Sequence, residues 1–144
     1  MQDAVAQDAV FAGKRASWQS AIEVFKPRIG LEIMFAGIAG VAMAQGAGLP
    51  LPQLLVLATA VFLAAASAGA LNHLVERDLD ARMSRTRGRP FVTGKLAGGS
   101  LWIAVIGLLL VFAVVSAGLA TNWLAAMFVF LGAFTYGVVY TLWL

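Results

Sequence analysis

Residues 51–90 read LPQLLVLATAVFLAAASAGALNHLVERDLDARMSRTRGRP, and the change of character at Asn72 decides the fold. From Leu51 to Leu71 there is no charged residue, and the run has about the ~20 residues that a helix needs to cross the hydrocarbon core of a bilayer. Its end, Ala64-Ala65-Ala66-Ser67-Ala68-Gly69-Ala70, is almost entirely small. Small side chains let helix backbones approach closely in a membrane, so this end is expected to be buried among other helices. Beyond it lies a polar stretch over residues 72–100, dense in Arg and acidic residues.

Working outward, similar apolar blocks recur. A first span is expected from Ile29 to Gln45, introduced by Lys26-Pro27-Arg28 and closed by Gly46-Ala47-Gly48-Leu49-Pro50. A third is expected from Leu101 to Ala120, then a tight Thr121-Asn122 turn and a fourth span from Trp123 to Leu144. Hydrophobic residues make up 61% of the 144 and charged residues 12%, against about a quarter charged in soluble domains. The mean hydropathy is +0.88. A water-soluble fold could not hide this much apolar surface, so the fold class is all-α, a polytopic membrane helix bundle of about four transmembrane helices. The last apolar run ends without a polar anchor, which suggests a portion of a longer protein.

The absence of cysteine excludes disulfides, Cys-ligated zinc and thiol catalysis, and a single histidine excludes a multi-His metal cage. Residues 1–28 lack the order of a cleavable signal peptide and read as an arm ending in an interfacial amphipathic stretch around Trp18 to Phe25. The net charge of +3 would suggest nucleic acid in a soluble chain, but all ten Lys and Arg lie either before the first span or within 72–100. The other two connections have none. The positive-inside rule therefore places the arm and the 72–100 loop in the cytoplasm.

Asn72, Glu76 and Asp80 are spaced by four, and on a helix each such step advances the azimuth by only about 40°. All three would share one face, with oxygens suited to Mg2+, a hard cation that bridges to substrate phosphates. The bland alternative is a solvated helix end neutralised by Arg77 and Arg82. Position favours a site, because the three continue directly from a helix rich in Ala and Gly, and Arg82, Arg85, Arg87 and Arg89 follow at once. Arginine clamps phosphate oxygens with bidentate hydrogen bonds, and Arg85 and Arg89 are the preferred diphosphate ligands, with Arg28 a further candidate. His73 lies about 100° from Asn72 on such a helix and reads as an interfacial histidine. Glu32 is either a functional ionisable group or the partner of Arg28 four residues earlier. Trp102, Trp123, Tyr136, Tyr140 and Trp143 read as an interfacial belt or bundle packing.

The segment Asn72-His73-Leu74-Val75-Glu76-Arg77-Asp78-Leu79-Asp80 resembles the first signature, Asn-x3-Asp-x3-Asp, of the UbiA superfamily of intramembrane prenyltransferases. The wording of residues 78–90, together with Lys26-Pro27-Arg28 and Tyr136-x3-Tyr140-Thr141-x-Trp143-Leu144, is most similar to its protoheme IX farnesyltransferase (heme O synthase) branch. Glu76 departs from the usual Asp and keeps a carboxylate. The resemblance implies that residues 29–144 are the N-terminal part of a domain of about nine helices whose second aspartate-rich motif is not in this sequence. It also implies farnesyl diphosphate and heme B as substrates, Mg2+ as cofactor, Asn72, Glu76 and Asp80 as catalytic and metal-binding residues, and a bacterial inner membrane location. Two competing readings are a quinone-pathway prenyltransferase acting on a phenolic acid such as 4-hydroxybenzoate, and a non-enzymatic transport or assembly subunit. The distribution of basic residues predicts that a topology reporter fused at Ser100 reports cytoplasm and one at Gly48 the opposite side. Reversed labelling would overturn the orientation.

Overall fold

A computed structural model describes residues 18–44, 48–96 and 98–143. Most of the arm, residues 1–17, and the terminal residues Gln45 and Leu144 of the first and fourth expected spans lie outside the described residues. Helical residues 18–24 lead into α1 (Pro27–Met43), α2 (Leu51–Val75), the short α3 (Arg77–Asp80), α4 (Ser100–Ala120) and α5 (Trp123–Phe134). A π-helical turn, Thr135–Tyr140, then passes into α6 (Thr141–Trp143). The expected all-α membrane bundle is the observed architecture, with α2 at its centre against α1, α4, α5 and the π-helical turn.

Among the described residues, three helices are long and apolar enough to cross a membrane: Leu51–Val75, Ser100–Ala120 and the continuous Trp123–Tyr140. The first expected span forms α1, but with 17 residues its length is about 26 Å, short of the ~30 Å hydrocarbon thickness. Arg28 and Glu32 also occupy its first two turns. The expected set of about four is thus three full-length helices and one short one.

Helix α2 does not stop where the apolar run does. It continues to Val75, and the Glu76 amide donates to the Asn72 carbonyl at 3.0 Å. Backbone pairing is indifferent to side-chain polarity, so Asn72 marks a change of environment rather than a helix end. Residues 72–75 therefore belong to the same rigid rod as the apolar run.

The bundle core is built almost wholly from alanine. Ala60, Ala64 and Ala68 form a stripe on α2 that meets Ala113 and Ala117 of α4 and Ala126 and Ala133 of α5. Alanine loses no rotamer entropy on burial, and its small volume lets backbones pack at the short distances that favour association in lipid. The small-residue end of α2 is buried as expected, with Ala64, Ala66, Ser67, Ala68, Gly69 and Ala70 enclosed. At the turn between α4 and α5, a Cβ on Gly118 would lie 2.7 Å from the Trp123 ring, so glycine is what lets that ring lie across α4. Long apolar side chains point outward instead: Leu108 is 70% and Leu119 76% exposed. That inversion suits a solvent of acyl chains.

Ala64 is 3% exposed, so Ala64→Leu would force the seam apart. Overpacking of this kind costs about 1–3 kcal/mol. Thermal unfolding in detergent should show the loss, whereas Leu108→Ala on the outer face should leave the midpoint nearly unchanged. Equal effects of the two would refute the small-residue seam.

Candidate functional site

Hydrogen bonds from the Glu76 amide to the Asn72 carbonyl (3.0 Å) and from the Asp80 amide to the Glu76 carbonyl (2.8 Å) carry helical pairing through residues 72–80. Asn72, Glu76 and Asp80 therefore stand on successive turns despite the turn at Glu76 that separates α2 from α3. Asn72 is 2% and Asp80 3% exposed. These are polar groups withdrawn from water, and each has to be satisfied within the protein.

Arg89 satisfies the carboxylates. One guanidinium nitrogen lies 2.5 Å from Asp80 Oδ2 and 3.7 Å from Glu76 Oε2, so a single cation bridges two turns. The loop delivers it by folding back in consecutive turns: Met83 N–H donates to the Asp80 carbonyl, Arg87 N–H to Met83 and Arg89 N–H to Thr86. The buried Thr86 hydroxyl also donates to the Asp80 carbonyl at 3.1 Å. Phe91, 4% exposed, locks the loop with an edge-on contact to Trp102 at 5.3 Å. Trp102 thus does bundle packing, while Trp123 and Trp143 are exposed.

Asn72 is satisfied from two other elements. Its Oδ1 accepts from Lys26 Nζ at 2.6 Å, and its Nδ2 donates to Thr141 Oγ1 at 3.3 Å. Lys26 Nζ also approaches the Tyr136 hydroxyl at 3.5 Å. Lys26 has φ 46° and ψ 57°, a left-handed conformation that costs a non-glycine residue about 1–2 kcal/mol. Pro27 follows and disfavours the right-handed helical region for the residue before it. The stem lies over Gly69, where a Cβ would meet Lys26 Cδ at 3.4 Å. Burial pulls the Lys26 ammonium below its ordinary pKa of 10.5, Arg89 adds to this, and Glu76 and Asp80 oppose it.

The π-helical turn explains how Tyr136 and Thr141 converge. Five residues along an α-helix turn the side chain about 140° away, but i→i+5 pairing sets residue 141 one turn beyond residue 136. Both then meet the Lys26–Asn72 pair. The aromatic and hydroxyl residues of 136–141 carried no site signal in the bare sequence, because the π turn that aligns them has no simple side-chain signature. Lys26 read as a topology residue for the same kind of reason: only its backbone conformation turns it inward.

The other expected ligands are placed differently. Arg28 is exposed and pairs with Glu32 at 3.5 Å, an i,i+4 pair of the weak surface kind. Arg85 is exposed and makes no ion pair among the described residues. Of Arg28, Arg85 and Arg89, only Arg89 meets the carboxylates. His73 is enclosed by the protein rather than open to solvent: it is 6% exposed, and its Nδ1 has no hydrogen-bond partner among the described residues. Residues 18–24 also dock rather than lie free, with Val24 fully buried against the cluster of Ala70, Phe91 and Ile106, although Trp18 and Ile22 stay exposed.

Beside this polar cluster runs an apolar groove of about 570 Å³ between α1, α2 and α5, lined by Ile33, Gly37, Val61, Ala65, Phe128 and Tyr136 among others. The volume falls in the ~300–1,000 Å³ range of small-molecule sites. Tyr136 belongs to both, its ring lining the groove and its hydroxyl touching Lys26. Asn72 Oδ1 and the two carboxylates are all oxygen donors, the set that a hard divalent cation takes. No group of three His, Cys, Asp or Glu side chains among the described residues is placed to hold a metal, since the third donor here is an amide.

Asp80→Ala strands the Arg89 guanidinium with only the more distant Glu76. Losing a hydrogen bond to a charged partner costs about 1.5–3 kcal/mol. Arg28→Ala, breaking an exposed pair, should cost under about 0.5 kcal/mol. Unfolding midpoints in detergent check the contrast, and a larger loss at Arg28 would contradict this geometry.

The model of the UbiA prenyltransferase family matches residues 33–144. Protoheme IX farnesyltransferase 2 of Paramagnetospirillum magneticum is 51% identical over 121 residues, which cover 84% of this chain and 42% of that protein. Protoheme IX farnesyltransferases of Caulobacter vibrioides and Brucella ovis are 38% and 36% identical, covering 92% and 100% of this chain but 39% and 46% of theirs. No solved structure matches significantly. The chain spans less than half the length of these curated relatives, and with over three quarters of its residues in the family match it belongs to the UbiA prenyltransferase family.

Proposed function

We propose that this chain is the donor half of a protoheme IX farnesyltransferase, transferring the farnesyl group of farnesyl diphosphate to heme B to form heme O for cytochrome oxidase assembly. The observation that carries the reading is the junction at Tyr136, where an apolar groove of about 570 Å³ ends against Lys26, Asn72 and the carboxylates bridged by Arg89. An allylic diphosphate has the matching polarity, an apolar tail and a polyanionic head. The relatives named as farnesyltransferases of protoheme IX support the choice of donor and acceptor.

Asn72, Glu76 and Asp80 would hold Mg2+, which supplies charge neutralisation to the leaving diphosphate. Arg89 would donate hydrogen bonds to phosphate oxygens as negative charge builds there, and stabilising that charge is the main catalytic term. The allylic C–O bond breaks with its electron pair leaving on the diphosphate. The vinyl group of the porphyrin then gives its π pair to the allylic cation, and the carbon left electron-poor takes water and loses a proton, giving a hydroxyfarnesylethyl group. The groove walls keep water from the cation before capture. The site end faces the cytoplasm of a bacterial inner membrane in this reading, in line with the basic residues gathered there.

The test is farnesyl transfer by the full-length protein with heme B and with 4-hydroxybenzoate in parallel. Heme O should form in a Mg2+-dependent reaction, and Asp80→Ala should lower kcat by roughly 10²–10³ while membrane insertion persists. Prenylated phenolic acid without heme O would move the protein to the quinone pathway, and turnover unchanged by Asp80→Ala would remove the site. Residues 1–144 alone should be inactive, because a second acidic cluster is needed opposite the first.

A further inference from the structure

Lys26 is the half-buried cation of the cluster that, among the described residues, makes no ion pair with either carboxylate. A lysine at a membrane boundary has water within reach of its flexible stem. Here the backbone is held left-handed at φ 46°, the stem crosses Gly69, and the ammonium rests on a neutral amide oxygen, Asn72 Oδ1, at 2.6 Å. Taking an ammonium out of water for a neutral acceptor is costly. The cost makes sense if a better acceptor arrives.

Resting on the metal and diphosphate reading above, we propose that Lys26 is an anion anchor that couples the two ligands: its ammonium holds Asn72 Oδ1 until a diphosphate enters, then passes to a phosphate oxygen and leaves Asn72 to the divalent cation. Charge balance carries this. Lys26 and Arg89 offset Glu76 and Asp80, so a metal alone meets two cations and an amide oxygen already engaged. A diphosphate alone meets two carboxylates. Arriving together, each removes the repulsion that opposes the other, and the ammonium exchanges a neutral acceptor for a charged one, which makes the stronger hydrogen bond.

The two cations divide the work by shape. Arg89 is a planar fork set between two carboxylates, whereas Lys26 is a compact charge with three donors on a flexible stem, able to reorient without leaving the site. Its approach to Tyr136, whose ring lines the groove, sets it where the tail and head of an allylic diphosphate part. Coupling of this kind is reciprocal, so each ligand must tighten the other by the same factor.

The full-length protein in detergent gives the test, with Mn2+ alone titrated by electron paramagnetic resonance and inorganic pyrophosphate by calorimetry with Mg2+ present. In Lys26→Met, Mn2+ alone should bind several-fold more tightly while pyrophosphate binds roughly tenfold or more weakly. Opposite signs are the signature, and weakening of both, or of neither, would overturn the proposal. Gly69→Val keeps the lysine but puts a Cβ 3.4 Å from Lys26 Cδ, with its methyls crowding the stem further, and should move both readings in the same two directions. It carries the test if Lys26→Met does not fold. Farnesyl transfer by the unmodified protein separates the two ideas: coupled binding without heme O sinks the acceptor reading alone, and heme O formation with unaltered binding in both variants sinks the role of Lys26 alone.

Discussion

Close approach to α2 is the constraint on which the rest of this structure depends. In lipid there is no hydrophobic gain from bringing one apolar helix against another, so association relies on packing and on polar contacts. The alanine stripe at 60, 64 and 68 lets α4 and α5 come in on one side, and Gly69 admits the lysine stem from the segment before α1. A larger residue anywhere along this seam would separate elements whose polar groups have to meet at its end.

Polar chemistry then collects where the seam leaves the apolar layer. Because Asn72 continues the same helix as the alanines, its amide is held as rigidly as the core. Two other parts of the chain converge on it: the residue before α1 and the start of α6. Arg89 fastens the loop to the next two turns of the same rod. In the function proposed above, this gives fixed donors on a scaffold beside one cation on a flexible stem, an arrangement suited to gripping a polyanion as charge develops on it.

Charge compensation also explains why the arginines of the loop are not equivalent. Arg89 returns to the carboxylates through turns closed by Thr86 and anchored by Phe91, whereas Arg85 projects outward from the same loop. Sequence spacing treats the two alike. Arg28 similarly follows Lys26 by only two residues but is exposed and pairs with Glu32, because residues two apart at a helix start point in different directions.

What the sequence determined by itself was whatever follows from composition and regular periodicity. Hydropathy marked the apolar helices, small residues marked the buried end of α2, and a spacing of four put Asn72, Glu76 and Asp80 on successive turns, since all of these depend on local chain geometry alone. Where α2 ends, at Val75, was not readable from the apolar run, because polarity reports the solvent and not the backbone pairing. Only the tertiary structure decided which cations reach the acidic face, that His73 is enclosed, and that Tyr136 and Thr141 meet Lys26 and Asn72. Those choices depend on a left-handed residue, a π turn and a folded-back loop, whose directions are set by packing between elements far apart in sequence and so leave no periodic trace along it.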